Sequence, residues 1–242
     1  MDYIMLPSSL VGFSNDYTKI VTTTAGGDAL LVHGKLEVTE ADRTCSRCGS
    51  KMHVHGTADA SLRHVSVGHD PMIIQFEKVR HFCPHCSQTR MQEVPFQAKG
   101  HRITEQLYNF VRDLLSWGLT LKMVSKIAGL GKNTVKQIDL ERLRDLYTID
   151  GERLIKPERQ ARVLGIDEFL LHKGHKYATV IIDMETGHIL WLAFGRKKAC
   201  VYAFIEHVGL EWMAGVEAVA CDMNSDFQQA FQDSCPHIKV VF

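Results

Sequence analysis

Four cysteines and two aspartates are the residues of this 242-residue chain whose types and spacing could do chemistry. CSRCG at 45–49 and CPHC at 83–86 form two C-x-x-C pairs separated by thirty-four residues. Two thiolates two residues apart can grip one tetrahedral Zn²⁺ from a tight knuckle, with Gly49 or Pro84 suiting the turn, and a second knuckle closes the site. A redox pair needs only one such motif, so the doubled one is read as metal binding by Cys45, Cys48, Cys83 and Cys86. Four thiolates leave no position for water, which makes the expected metal structural. His53, His55, His81 and His85 stand nearby as alternative ligands, each better explained as a surface histidine. Cys200, Cys221 and Cys235 sit singly in apolar or helical surroundings and read as small buried hydrophobes.

The aspartates suggest a different chemistry. Asp167 ends VLGID and Asp222 ends VEAVACD, fifty-five residues later, each at the C-terminal end of an apolar, strand-like run. One aspartate at a strand end is ordinarily a turn or cap residue. Two, on parallel neighbouring strands, would project at one rim and repel unless a hard divalent cation such as Mg²⁺ lay between them. Paired ions about 3.5–4 Å apart can activate an attacking oxygen and stabilise a leaving one in an in-line phosphoryl displacement. Strand alternation turns Glu168 to the opposite side, making it a poor second ligand. Asp183 in IIDMETG is assigned to a hairpin turn through Gly187, and Ser225 with Gln228 to a capping box that has Asp226 in its first turn. His172, Lys173, His175 and Lys176 form a basic tip, open between a DNA contact and a solvated loop.

These residues need elements to hold them, and the chain changes texture twice. Residues 1–96 carry the cysteine pairs and short β-like runs such as 29–38 and 72–79, broken by Gly, Asp-Pro and Ser; the zinc module occupies about 40–96, with a hairpin expected over 61–80. Residues 97–150 are helical by pattern, with Ile103, Leu107, Phe110, Val111, Leu114 and Leu115 recurring at three and four. Within them LTLKMVSKIAGLGKNTVKQIDLERL, 119–143, has the grammar of a helix-turn-helix. Val124, Ile127 and Ala128 face inward, Gly129-Leu130-Gly131 turns, and a second helix opening at Asn133 or Thr134 carries Val135, Ile138 and Leu143 inward. Lys132, Asn133, Lys136 and Gln137 are left outside, where a recognition helix meets phosphates and base edges. An ordinary helical hairpin with a solvated basic face would share the pattern. After a polar stretch at 150–160, residues 160–242 run strand, strand, strand, helix, strand, helix, strand, an α/β order. The expected fold class is therefore multidomain: a small β-rich zinc module, an α-helical module and an α/β domain.

Composition sets the outer bounds. With 45% hydrophobic and 23% charged residues the chain can bury a real core. The absence of an eighteen-residue apolar run and of a basic secretory leader predicts a cytoplasmic protein with no membrane partner. Net charge is zero, but residues 99–159 hold twelve Lys and Arg against eight Asp and Glu, a local excess that suits a nucleic acid.

These features together resemble bacterial insertion-sequence transposases of the ISL3 type, and the likeness spans most of the chain. It is carried by CSRCG, VRHFCPHC, LTLKMVSKIAGLGKNTVKQI, VEAVACDMNSDFQQAF and, with most specificity, GIDEFLLHKGHKYATVIIDMETGHIL. The resemblance implies a zinc ribbon, a helix-turn-helix and a DDE catalytic domain of RNase H-like fold. It makes Asp167 and Asp222 the first two catalytic acids, Mg²⁺ or Mn²⁺ their metal, and double-stranded DNA at terminal inverted repeats the partner, with a homodimer as a candidate assembly and a nucleoid-associated location. In that family the domain continues past the fifth strand to a catalytic Glu. This sequence ends at HIKVVF, so a C-terminally truncated domain lacking the third acid, and inactive alone, is expected. Three functions follow: a transposase cleaving and joining element ends, a non-catalytic DNA-binding protein or repressor derived from one, or a decayed product without a role.

Overall fold

A computed structural model describes residues 10–22, 28–172, 174 and 176–242, and the chain divides into two units, Met1–Leu146 and Tyr147–Phe242. In the first, β1 (Phe13–Thr22), β2 (Asp28–Leu36), β3 (His53–Val67), β4 (Asp70–Cys83) and β5 (Gln88–Met91) make one sheet in the order β1-β2-β4-β3, with β5 also on β4. Neighbours are antiparallel except β2 and β4, which run parallel from Leu30↔Met72 to His33↔Gln75. Alternation along β4 turns Met72, Ile74 and Phe76 to a buried face shared with Leu30, Val32, Leu62 and Phe96. Phe13, Phe76 and Phe96 meet edge to face with centroids 5.8–6.3 Å apart, the arrangement ring quadrupoles favour. The β3–β4 hairpin outruns the expected 61–80 because its ladder runs from Val67↔Asp70 to His53↔Phe82, which delivers Cys83 at the strand end.

Three helices follow: α1 (Glu105–Ser116), α2 (Leu121–Ala128) and α3 (Lys132–Tyr147). Thr104 and Thr120 accept from the backbone N–H of Leu107 and Met123, capping α1 and α2. Leu107, Val111, Leu114, Val124, Ala128, Val135 and Ile138 form one core. Gly129 turns the chain in the left-handed region at φ 61°, which glycine adopts without a Cβ clash, and Ser125 fastens the turn through its hydroxyl to the Leu130 carbonyl at 2.6 Å. Three expectations are corrected. Ile103 is buried ahead of α1, in a bridge to Arg63. Ile127 is 48% exposed, because it sits about 100° round the helix from buried Ala128. The second helix opens at Lys132, ahead of Asn133 and Thr134.

Polar groups tie α1 to α3. His101 Nε2 lies 3.0 Å from Glu141, the Tyr108 hydroxyl donates to the same carboxylate at 2.8 Å, and Arg112 donates to Asp145 at 2.6 Å. Burial would raise the Glu141 carboxyl; hydrogen bonds from His101, Tyr108 and Gln137 outweigh it and hold the group below the usual range.

In the second unit, β6 (Thr148–Ile149) and β7 (Arg153–Leu154) pair in a short hairpin, so the stretch read as a polar linker carries a strand. There follow β8 (Val163–His172), β9 (Lys176–Asp183), β10 (Ile189–Phe194), α4 (Lys198–Val208), α5 (Leu210–Met213), β11 (Ala218–Cys221), α6 (Ser225–Ser234) and β12 (Lys239–Val241). The sheet order is β10-β9-β8-β11-β12, antiparallel through β8 and parallel from β8 to β12. Leu164, Ile166, Ile181 and Val219 pack against Phe204, Phe227 and Phe231 of α4 and α6, all within a few per cent of full burial. The buried Cys200, Cys221 and Cys235 are small hydrophobes of this unit. Two local readings change. β8 continues to His172 because β9 pairs with it throughout, so Asp167 lies inside the strand rather than at its end. The cap of α6 is Asn224, whose side chain accepts from Asp226 N, rather than Ser225.

Candidate functional site

The four C-x-x-C thiols converge. Cys45 Sγ lies 3.4 Å from Cys86 Sγ, Cys48 Sγ lies 3.5 and 3.7 Å from Cys83 and Cys86, and all four sulfurs are within 4.8 Å of one another. Sulfurs on the corners of a tetrahedron with Zn–S near 2.3 Å would stand about 3.8 Å apart, so the donor set fits a Zn²⁺ centre. The local sequence explains the convergence. Gly49 takes φ 71°, and bonds Gly49 N→Cys45 O and Cys45 N→Ser50 O fold the first knuckle, while the end of β4 presents the second. Cys48 is lowered to about 6, chiefly by its hydrogen bond with the Ser50 side chain, and Cys86 is pushed up to about 12, chiefly by its hydrogen bond with Cys45. A metal entering such a cluster must displace the proton that Cys86 keeps. No histidine joins the four sulfurs among the described residues. His81 is instead 1% exposed with neither ring nitrogen hydrogen-bonded, which corrects its reading as a surface residue.

Asp167 and Asp222 come together through the parallel pairing of β8 and β11. The ladder ends at Cys221↔Ile166, and the next residue along the chain after each is an aspartate, inside β8 for Asp167 and just past β11 for Asp222. Both carboxylates are exposed and line one open depression of about 450 Å³ with Gly165, Val180, Ile182 and Ala220. One oxygen of each accepts from the following backbone N–H, Glu168 N and Met223 N, at 2.7 Å. Neither meets a Lys or Arg among the described residues, so two anionic groups share a depression without a protein cation, a setting that suits a hard divalent ion.

Glu168 faces away from the depression, as alternation requires, and accepts from Asn224 Nδ2 at 2.9 Å with Arg196 Nη1 at 3.9 Å. Sequence reasoning missed this bridge, because its partners lie fifty-six residues apart. Asp183 behaves as read: it is buried, and its carboxylate accepts from Glu185 N and Thr186 Oγ1 in the hairpin turn. Of the basic tip, Lys173 and His175 lie outside the described residues, and Lys176 is exposed.

On α3, Lys132, Asn133, Lys136 and Gln137 are all exposed along the N-terminal half. The first three meet no hydrogen-bond or ion-pair partner among the described residues. Gln137 donates to Glu141 Oε1 at 3.1 Å, which leaves its amide oxygen outward as an acceptor.

Comparison with known proteins agrees with this layout. Residues 164–242 match a family model described as transposase, of the ISL3 DDE type, and residues 42–86 match one described as zinc-finger of transposase IS204/IS1001/IS1096/IS1165. The transposase for insertion sequence element IS1001 of Bordetella parapertussis is 28% identical over 209 residues, 86% of this chain and 50% of that protein. The transposase for insertion sequence element IS1557 of Mycobacterium tuberculosis is 26% identical over 196 residues, 80% of this chain and 43% of that protein. The chain thus spans about half the length of these curated relatives. With a zinc ribbon of the ISL3 type at 42–86, a transposase domain of the ISL3 type at 164–242 and similarity to these relatives across most of its length, the chain carries the zinc-ribbon and transposase domains of ISL3 insertion-sequence transposases.

Proposed function

We propose that this chain binds transposon-end DNA and supplies two metal-ligating acids of an RNase H-like DDE domain. The observation that carries the reading is the pair Asp167 and Asp222, one step beyond the last β8–β11 ladder pair, lining one depression with no Lys or Arg beside them among the described residues. Bound there, Mg²⁺ or Mn²⁺ would neutralise developing charge and activate the attacking oxygen. The two residues, one on β8 and one just past the neighbouring β11, would hold the ion and so fix where a scissile phosphate must sit. The five-stranded mixed sheet with α4 and α6 supports the RNase H-like assignment.

DNA binding is assigned to 97–150, between a zinc-bearing segment at 1–96 and the catalytic segment at 160–242. Here α2 and α3 act as a helix-turn-helix. Lys132 and Lys136 meet phosphates, while Asn133 and the outward oxygen of Gln137 read adenine edges. Zn²⁺ on Cys45, Cys48, Cys83 and Cys86 is structural. The partner is double-stranded DNA of terminal inverted repeats, bound as a homodimer in the bacterial cytoplasm at the nucleoid. No helix among the described residues is long and apolar enough to cross a membrane. The test combines Mn²⁺ titration with gel shift on element-end DNA. Wild type binds both, Asp167→Asn and Asp222→Asn lose the metal, and Lys132→Ala with Lys136→Ala weakens the DNA complex; unchanged metal affinity in both aspartate variants overturns the catalytic assignment.

One observation favours a second reading, a non-catalytic DNA-binding protein or repressor. No third carboxylate lines the depression among the described residues, whereas two ions need more oxygen ligands than two aspartates supply. Failure to nick element-end DNA with Mg²⁺ or Mn²⁺ supports that reading. Nicking abolished by Asp222→Ala overturns it.

A further inference from the structure

We propose that Asn224 is a positioning residue that holds Asp222 beside Asp167 by clamping the turn after β11 to Glu168 on β8. This rests on the metal-site reading of the two aspartates. The backbone ladder between β8 and β11 stops at Cys221↔Ile166, so Asp167 and Asp222 stand beyond the last residues that it fixes. Asp167 is held within β8 by its pairing with Val180 of β9, so repulsion between the two carboxylates would push Asp222 and the turn after β11 away from β8. Among the described residues, the side-chain link across the two segments past that point is Asn224 Nδ2→Glu168 Oε2 at 2.9 Å.

Asn224 suits this work on three sides. Its backbone N–H returns to Asp222 O at 2.5 Å, closing a tight turn around Met223. Its Oδ1 accepts from Asp226 N at 3.0 Å, anchoring the turn to the first residues of α6. Its remaining amide donor reaches Glu168, the residue next to Asp167. The adjacency of Glu168 to Asp167 and the closeness of Asn224 to Asp222 mean that one hydrogen bond on the far face sets the separation of two carboxylates on the near face. Glu168, unfit by direction to be a ligand, thereby gains a part: its second oxygen faces Arg196, whose guanidinium stacks 4.5 Å over the Tyr177 ring and orients the acceptor.

The test uses amide and carboxylate exchange in the full chain. Asn224→Asp keeps a good helix cap but sets two carboxylates against each other across the bridge. Glu168→Gln combined with Asn224→Asp restores a donor facing an acceptor with the roles swapped. Mn²⁺ affinity is read by electron paramagnetic resonance and, in metal-free protein, the exchange rate of the Met223 amide by mass spectrometry, with circular dichroism confirming that each variant folds. Asn224→Asp is expected to bind Mn²⁺ about tenfold more weakly, in the range seen when partners of ligating carboxylates are lost, with faster Met223 exchange; the double variant recovers both. Wild-type values in Asn224→Asp, or a double variant as impaired as the single one, overturn the proposal. Asp167→Asn and Asp222→Asn run beside them separate the two ideas. If these lose Mn²⁺ while Asn224→Asp does not, only the clamp fails. If they bind as wild type does, the metal-site reading fails and the clamp with it.

Discussion

At the scale of single residues, direction matters as much as identity. Asp167 and Glu168 are neighbours of one chemical kind, yet pleating sends one to the depression and the other to Asn224. Neutralising Asp167 or Asp222 as Asn is expected to lower Mn²⁺ affinity tenfold or more while leaving the fold intact, since both carboxylates are exposed; calorimetric titration checks it. On α3, Lys132 and Lys136 are each expected to contribute about 0.9 to the slope of log affinity against log salt. Gel shifts of the two alanine variants over a salt series measure this, and an unchanged slope would remove α3 from the DNA interface. Sequence alone gave the types of these residues and, through period, their faces. The Asn224–Glu168 bond was not legible, because competing cap residues stand side by side in NSD and only the fold selects Asn224.

At the scale of elements, two packings decide stability. Phe231 of α6 is fully buried against the β8–β11 sheet, so Phe231→Ala is expected to cost about 3–5 kcal/mol, read from urea unfolding. Between α1 and α3 the stabilising agent is partly ionic. Glu141 has its carboxyl lowered in the folded state, so its contribution is present above the ordinary Glu range and is lost as pH falls through the lowered value. Glu141→Gln should flatten that acid-side loss, measured as melting temperature against pH. Helix existence was readable from apolar periodicity. The identity of the exposed side was not wholly so: Ile127 looked inward, but a helix of eight residues buries a narrow stripe and leaves it outside.

At the scale of the whole chain, each unit has its own cores: among the described residues, two apolar clusters and the cysteine cluster in Met1–Leu146 and one large cluster in Tyr147–Phe242. Zinc chelation is therefore expected to raise amide exchange around 42–91 and leave 163–241 unchanged, because metal binding and local folding are linked at the knuckles. Exchange mass spectrometry with and without chelator checks this; protection unaltered near Cys45 and Cys83 would contradict a structural metal. The sequence by itself determined the paired spacing of the four cysteines, the succession of strands and helices in 160–242, and the two acids that follow apolar runs, since these follow from spacing and period along the chain. Only the tertiary structure decided that β8 and β11 are parallel neighbours whose ladder stops one residue short of both aspartates, and that Asn224 reaches across behind them. Strand pairing over fifty-five residues is settled by which faces bury together around Phe204, Phe227 and Phe231, and no local pattern contains that information.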